Sequence, residues 1–411
     1  MLGVLARMRE GSLTVVEGDR RTELGRGAPH ATIEVHDPRT WRALLRGSRG
    51  LAESYADGQW DSPDLTALIR LAARNADQLD APRRRLTPLR EPYQRLRAVR
   101  NTPRRSRDDI AAHYDLGNEL FELMLDPTMM YSSARFTHPG MTLEEASVAK
   151  LDLVCDKLAL GPDDHVLEIG TGWGGFAIHA AATRGCRVTT TTLSLEQRAH
   201  ALARIREAGL EDRVSVLARD YRELDGRFDK LVSIEMIEAV GWKDFGTFFE
   251  RCSDLLEPNG AMLLQAITID DRAYAVERAS KSFIRTHIFP NGCLPSVEVI
   301  ARCLARRTDL RLTHFEDFGP DYAETLRRWR ANLDSEQLEQ LGYDERFRRL
   351  WRLYLCYCEA GFAERRIGVA QALLAKPRWS AQRQRVSFQM SLPPYSAAAS
   401  STSVGAGTQA S

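Results

Sequence analysis

The stretch VLEIGTGWGGFAIHAA, residues 166–181, constrains the fold of this chain more than any other part of the sequence. A short apolar run typical of a buried strand leads into glycines at alternate positions and then into a helical pattern. Glycine allows positive φ angles and lets a ligand approach the main chain closely. Units of strand, glycine-rich turn and helix hold nucleotide-like ligands. The stretch therefore predicts such a unit, with Gly170, Gly172 and Gly174 in the turn.

Apolar runs and helical patterns alternate on both sides of this turn. The patterns predict strands at 166–169, 187–191, 214–218, 229–234 and 260–267, and helices near 143–160, 194–208 and 243–256. Alternation at this spacing predicts an α/β fold with a mostly parallel sheet covered by helices on both faces. Residues 383–390 alternate by twos and predict a final edge strand.

The rest of the chain divides into segments of different composition. Residues 1–82 mix short alternating runs with an apolar helical pattern and predict a small amino-terminal α+β domain. Residues 83–107 carry ten arginines and one glutamate, and are either an interdomain linker or a contact with anionic lipid headgroups. Residues 108–390 form the predicted catalytic domain. Residues 391–411 lack core-forming side chains and predict a disordered tail.

Charge, cysteine usage and hydropathy narrow the class of protein. The formal net charge is +1, and the arginine-rich segment holds a single aromatic residue, so nucleic acid is not the expected partner. The seven cysteines show neither a disulfide framework nor the spacing of a zinc site. Arg7 and Arg9 interrupt the start of the chain, which makes a poor signal peptide, and no apolar run is long enough to span a bilayer. We expect a cytoplasmic protein that at most lies on a membrane surface, with no metal.

The residues after the second predicted strand discriminate between ligands. A dinucleotide site needs a carboxylate there for the ribose, but RVTTTTLSLEQ has no acid before Glu196. No lysine follows the glycines, so the turn is not a phosphate-binding P-loop. The amino-acid end of S-adenosylmethionine (SAM) suits glycine backbone with Glu168 at the strand end. The alternative is a turn with a structural role only.

A set of sequence motifs elsewhere in the chain strengthens the case for SAM. They are HYDLGNELFELMLDPTMMYSSARF (113–136), TTLSLEQ (191–197), VSIEMIEAVG (232–241), FIRTHIFPNGCLPS (283–296), FGPDYAETLRRW (318–329) and CYCEAGF (356–362). Together they resemble the cyclopropane-fatty-acyl-phospholipid synthases, a family that includes the mycolic acid cyclopropane synthases. The segment 51–65 also resembles the amino-terminal domain of the phospholipid-acting members.

The resemblance implies a class I SAM-methyltransferase fold, with a Rossmann-like sheet and helical additions. It also implies transfer of a SAM methyl group to a cis double bond in an acyl chain of a bilayer phospholipid. Loss of a proton from the added methyl then closes a cyclopropane ring. The implied location is the inner face of the cell membrane, as a peripheral protein near anionic lipid, and homodimer formation is left open.

The resemblance also assigns residues to the cofactor. Those implied to lie against SAM are Tyr114, Tyr131 and Ser132. Those implied to hold its amino-acid end are Glu168, Gly170, Gly172 and Gly174. Those implied to border the ribose and adenine are Thr192, Leu193, Gln197, Asp220 and Tyr221.

In related enzymes a bound bicarbonate is thought to take the proton. The residues implied to hold it are Ser133, Glu238, Gln265, Ile267 and Tyr322. Ser133 stands for the usual cysteine and Gln265 for the usual histidine, and both side chains can donate to an oxyanion. Glu235 is placed beside the cofactor. Cys358 matches a cysteine treated as an active-site residue, with a buried core thiol as the alternative.

Other functions fit parts of the same sequence. Within the family, a methyltransferase could lose the proton elsewhere and yield a methylene- or methyl-branched chain. Outside this chemistry, the chain could be a SAM-binding lipid sensor or inactive scaffold, or a methyltransferase acting on an amine or hydroxyl of a small molecule. Aromatic residues could line an acyl channel or simply pack in the core: Phe121, Phe136, Phe283, Phe289, Trp329 and Tyr357.

Overall fold

The computed structural model describes residues 8–76, 117–279, 282–333 and 336–380, together with Leu5, Gln78 and Thr102. The arginine-rich segment 83–107 (apart from Thr102), the edge strand predicted at 383–390 and the tail 391–411 lie outside the described residues.

The described chain alternates between strands and helices after a strand-rich start. Its strands are β1 (Gly11–Glu17), β2 (Arg20–Arg26), β3 (His30–Val35), β4 (Trp60–Asp61), β5 (His165–Ile169), β6 (Arg187–Thr191), β7 (Val214–Leu217), β8 (Phe228–Ile234), β9 (Leu256–Ile269), β10 (Arg311–Asp317) and β11 (Ile367–Ala375). Its helices are α1 (Arg39–Leu44), α2 (Ser48–Ala56), α3 (Leu65–Arg74), α4 (Asn118–Met124), α5 (Leu143–Lys157), α6 (Gly175–Arg184), α7 (Leu195–Glu207), α8 (Phe245–Asp254), α9 (Tyr274–Ala279), α10 (Val297–Arg307), α11 (Gly319–Leu333), α12 (Gln337–Gln340) and α13 (Glu345–Ala363).

A seven-stranded sheet has the order β10-β11-β9-β8-β5-β6-β7. Strands β5 to β9 pair in parallel, whereas β11 is antiparallel to both β9 and β10. The predicted α/β fold with a mostly parallel sheet is confirmed, and each of the predicted strands and helices of this region is present. The antiparallel strands β10 and β11 were not predicted, because their sequences show no regular alternation that separates them from neighbouring helices.

Burial explains why the sequences of the central strands are almost continuously apolar. In β5, Val166 to Ile169 are all buried, and residues 260–266 of β9 are buried as well. Helices cover both faces of the sheet, so side chains on both sides of each strand enter a core. The residues that interrupt these runs, Glu168 and Gln265, are therefore polar groups inside the protein.

The amino-terminal part forms a second sheet with the order β2-β1-β3-β4. Its core residues belong to the same apolar cluster as residues of α11 and α13. Polar contacts add to this packing: Glu364, just after α13, accepts from Nε of Arg70 at 2.7 Å and of Arg74 at 2.8 Å. The amino-terminal sheet and α13 are thus packed as one body, while the domain boundary at residue 82 stays a prediction.

Within the described ranges, no helix combines the length and the apolar character needed to cross a bilayer.

Candidate active site

The predicted site residues gather at the carboxyl edge of the parallel strands. In the sheet, β6, the next strand along the chain, lies on one side of β5, and β8 lies on the other side. Ligands in open α/β sheets bind at such a reversal, because the loops from adjacent strands diverge there and leave a crevice. The glycine turn follows β5 and Glu235 follows β8, so both flank this crevice.

The glycine turn has the backbone that the sequence predicted. Gly170, Gly172 and Gly174 have φ angles of 110°, 51° and 86°, in the region that favours glycine. A Cβ at Gly172 would meet no atom within 4 Å, whereas one at Gly170 would approach Met236 at 3.2 Å. The turn therefore leaves open space beside Gly172, at the N terminus of α6, where the amino-acid end of SAM fits.

Glu168 lies under this turn. Its Oε2 accepts a hydrogen bond from Thr190 at 2.6 Å, and Thr190 in turn contacts Thr171 at 2.7 Å. Burial raises the pKa of Glu168 to about 8, against the lowering effects of Thr190 and Lys150. A cationic ligand group would favour the ionised carboxylate. This arrangement fits the ammonium group of SAM.

The residues assigned to ribose and adenine lie together after β6 and β7. Thr192 donates to Oε1 of Gln197 at 2.9 Å, which fixes that amide at the start of α7, and Leu193 is half-buried beside them. The side chains after β7 make contacts of their own. Asp220 pairs with Arg222 at 2.7 Å, and the Tyr221 ring packs against Phe248 in the core. Their assignment to adenine stays a prediction.

Glu235 is the centre of the predicted proton-acceptor site. Its Oε1 accepts from the main-chain N–H of Ser133 at 2.9 Å and from the amide of Gln265 at 2.8 Å. Its Oε2 accepts from the hydroxyl of Tyr322 at 2.5 Å. Ser133, Gln265 and Tyr322 thus meet at the carboxylate of Glu235, whereas the resemblance implied that they meet at a bound bicarbonate.

Glu238 occupies a neighbouring position. Its Oε1 accepts from the main-chain N–H of Ile267 at 2.5 Å, so these two predicted residues do meet. Its Oε2 is buried and has no hydrogen-bond partner among the described residues. Burial and the nearby charge of Glu235 raise the pKa of Glu238 to about 8. The role implied for Glu238 toward a bound bicarbonate stays a prediction, whereas the contacts with Ser133, Gln265 and Tyr322 are made by Glu235.

A buried polar chain behind Gln265 was not predicted. Gln265 and Gln371 are directly opposed on β9 and β11, and Gln371 donates to Oε1 of Gln265 at 3.0 Å. Lys157 then donates to Oε1 of Gln371 at 2.7 Å. The carbonyl end of the Gln265 amide is occupied, so its NH2 must face Glu235. The sequence feature that could have predicted this buried chain is the polar residue Gln371 inside the apolar run VAQALLA (369–375).

Lys150 was also missed. It is fully buried on α5, where it donates to the hydroxyl of Ser132 at 2.9 Å. Burial lowers its pKa to about 8, against the attraction of Glu235, Asp126 and Glu168. Lys150 shares a helix stripe with Ala146, Ser147, Leu151 and Val154. A lysine at a position where the 3.6-residue period predicts an apolar residue could have indicated a buried charge.

Aromatic side chains line the region beside Glu235. Tyr131 lies with its ring centroid 5.3 Å from those of Phe121 and Trp329, and its hydroxyl is 2.9 Å from that of Tyr354. Tyr322 stacks on Phe362 at 4.3 Å. These rings belong to the cluster that also holds core residues of the amino-terminal sheet.

The remaining aromatic candidates divide by location. Phe283, Phe289 and Tyr357 belong to or pack against the same cluster, whereas Phe136 packs with Met141 in a small separate one. Burial raises the pKa of Cys358 to about 12, which makes it a neutral thiol and favours the core alternative. Tyr114 lies outside the described residues.

Known structures share this architecture. The structure of the cyclopropane synthase MmaA2 from Mycobacterium tuberculosis matches 66% of this chain and 98% of its own, with 34% identity and a TM-score of 0.61. The mycolic acid cyclopropane synthase CmaA1, complexed with SAH and CTAB, matches the same shares with 32% identity and a TM-score of 0.62. The sheet and the glycine turn thus define a SAM-dependent methyltransferase.

Sequence comparisons identify the family. The model for mycolic acid cyclopropane synthetase matches residues 101–372. The tuberculostearic acid methyltransferase UfaA1 of M. tuberculosis is 39% identical over 85% of this chain and 84% of its own length. The cyclopropane-fatty-acyl-phospholipid synthase of Escherichia coli K12 is 36% identical over 85% and 89%. The chain belongs to the mycolic acid cyclopropane synthetase family.

Proposed function

We propose that this enzyme transfers a one-carbon group from SAM to the cis double bond of acyl chains in phospholipids, giving cyclopropane chains. The observation that carries the substrate class is the extent of the similarity. A match over 85% of the chain is longer than the segment 101–411. The matches to both relatives must therefore extend into the amino-terminal part. The cyclopropane mycolic acid synthase MmaA2 matches only 66% of this chain with 97% of its own length.

The geometry of the site suits this chemistry. SAM, when bound, supplies an electrophilic methyl carbon, and an alkene is a weak nucleophile that must be held in line with it. The glycine turn with Glu168 would hold the amino-acid end of SAM. The rings of Tyr131, Trp329 and Phe121 exclude water, which would otherwise capture the substrate cation as an alcohol. Their faces also favour positive charge.

The partner surface and location are part of the same proposal. A phospholipid substrate requires contact with a bilayer, so we place the enzyme in the cytoplasm, peripherally on the inner face of the membrane. The arginine-rich segment 83–107 would contribute by attraction to anionic lipids, a prediction from the sequence alone.

A second product is favoured by one specific observation. UfaA1, whose name describes a methyltransferase for tuberculostearic acid, matches this chain over the same share as the E. coli synthase and with higher identity. Both products begin with the same methyl transfer. They differ in whether loss of the proton closes a ring or leaves a methylene branch.

The test is incubation of the purified protein with SAM and vesicles of a monounsaturated phospholipid, followed by mass spectrometry of the acyl chains. The proposal expects a gain of one CH2 unit, and none with saturated phospholipid. Mild hydrogenation then separates the products, because a methylene branch takes up hydrogen and a ring does not. Methylation of small amines or hydroxyl compounds without any lipid product would overturn the proposal.

A further inference from the structure

The carboxylate of Glu235 occupies the position that the resemblance assigned to bicarbonate. Bicarbonate was expected to receive hydrogen bonds from Ser133, Gln265 and Tyr322. The main-chain N–H of Ser133, the amide of Gln265 and the hydroxyl of Tyr322 donate to Glu235, at 2.9, 2.8 and 2.5 Å. A carboxylate and a bicarbonate present the same planar pair of oxygens to their donors. The side chain therefore replaces the anion in shape, charge and hydrogen bonding.

The residues present do not fit an additional bicarbonate. The hydroxyl of Ser133 donates to the carbonyl of Ala134 at 3.0 Å, and the N–H of Ile267 donates to Glu238. An entering anion would find its donors already engaged by Glu235, by Glu238 or by the carbonyl of Ala134. It would also lie beside the carboxylate of Glu235, which together with burial already raises the pKa of Glu238. Like charges in a site of low polarity repel strongly.

The backbone conformation of Glu235 supports the same conclusion. Its φ angle is 50°, in the left-handed region that residues other than glycine rarely adopt. Strain of this kind is retained where the surrounding contacts hold it in place. Here the hydrogen bonds from Ser133, Gln265 and Tyr322 hold the side chain, and the N–H of Glu235 donates to the carbonyl of Gln265 at 2.8 Å.

We infer that Glu235 is itself the proton acceptor of the reaction, so that this enzyme works without bicarbonate. The inference rests on the proposed function. The alkene electron pair forms the bond to the methyl carbon as the carbon–sulfur bond breaks, which leaves a cation on the acyl chain. A C–H electron pair of the added methyl then forms the second ring bond, and its proton passes to Oε2 of Glu235. For the branched product, the same proton leaves after a hydride shift along the chain.

Glu235 has the properties that this role needs. Its Oε2 accepts one hydrogen bond from the described residues, so a lone pair remains for a proton. The residue is half-buried and so keeps some surface toward the crevice. Burial raises the pKa of Glu235, while Tyr322, Ser133, Gln265 and Lys150 lower it. The net raised pKa makes it a stronger base than an exposed glutamate.

The first test compares E235Q and E238Q with the wild type on unsaturated phospholipid vesicles. E235Q should bind SAM normally in calorimetry and lose more than about 100-fold in turnover, the scale of a lost general base. E238Q should lose less than about 10-fold, because glutamine resembles the neutral form that a pKa of about 8 favours. Near wild-type turnover of E235Q would overturn the inference.

The second test uses E235G, which suits the positive φ angle and opens the space between the same donors. Added bicarbonate or formate should raise its turnover several-fold, whereas neither should change the wild-type rate in buffer stripped of bicarbonate. R365G removes an exposed side chain at a similar φ of 51° and should leave both results as in the wild type. Slowing of the wild type when bicarbonate is stripped would overturn the inference. Failure of the proposed function would instead show as no lipid product from the wild type.

Discussion

The side-chain amide of Gln371 donates to Oε1 of Gln265 at 3.0 Å, across directly paired positions of β11 and β9. Both side chains are fully buried. This contact decides which end of the Gln265 amide faces Glu235. Gln371 is therefore a positioning residue, since it acts on the site through Gln265.

Replacing Gln371 with methionine should lower turnover by about 10-fold, because Gln265 loses the contact that fixes its orientation. With its NH2 no longer held against Glu235, the pKa of Glu235 rises. The acidic limb of the pH–rate profile should then move to higher pH, while SAM affinity stays the same. L373M, a buried apolar exchange on the same strand, serves as the control. A profile that does not move would indicate a purely structural role.

Gly172→Val should abolish SAM binding. The substitution fills the open space beside the turn and places a β-branched side chain at a φ of 51°. Gly209→Val is the matched control, because Gly209 also has a positive φ (64°) and no atom within 4 Å of an added Cβ, but lies after α7. Calorimetry should show binding by the control only. Equal SAM affinity of both variants would mean that the cofactor does not lie on the turn.

Glu364→Gln should destabilise the docking of the amino-terminal sheet on α13 by about 1 kcal/mol, because a neutral amide pairs less well with Arg70 and Arg74. Burial alone would raise the pKa of Glu364, but the two arginines outweigh it and the pKa lies below the usual value.

The contribution of Glu364 is therefore present above the unfolded-state pKa and is lost as the pH falls through the folded-state pKa. Thermal unfolding of wild type and E364Q should differ at pH 7 and converge in acid. E298Q, at a surface pair with Arg302, should change little at either pH. A difference that persists in acid would rule out this ion pair as its cause.

Local sequence patterns determined the strand, turn and helix framework. The strands from 166 to 267, the helices between them and the positive φ angles of the glycine turn follow from spacing and residue type. The same holds for Gly11–Glu17, His30–Val35 and Leu65–Arg74, where alternation or a 3.6-residue period is visible along the chain. Such features depend on near neighbours in sequence, and so the sequence alone specifies them.

The assignment of roles at the site was decided by the tertiary structure. Glu235 and Glu238 are three residues apart and both follow β8, and the sequence gives each the same carboxylate. Their difference arises from what four distant segments bring to them: the loop of Ser133, β9 with Gln265 and Ile267, α11 with Tyr322, and β11 behind Gln265. The pKa values of buried groups and the hydrogen bonds of a carboxylate depend on neighbours in space, which only the packed fold defines.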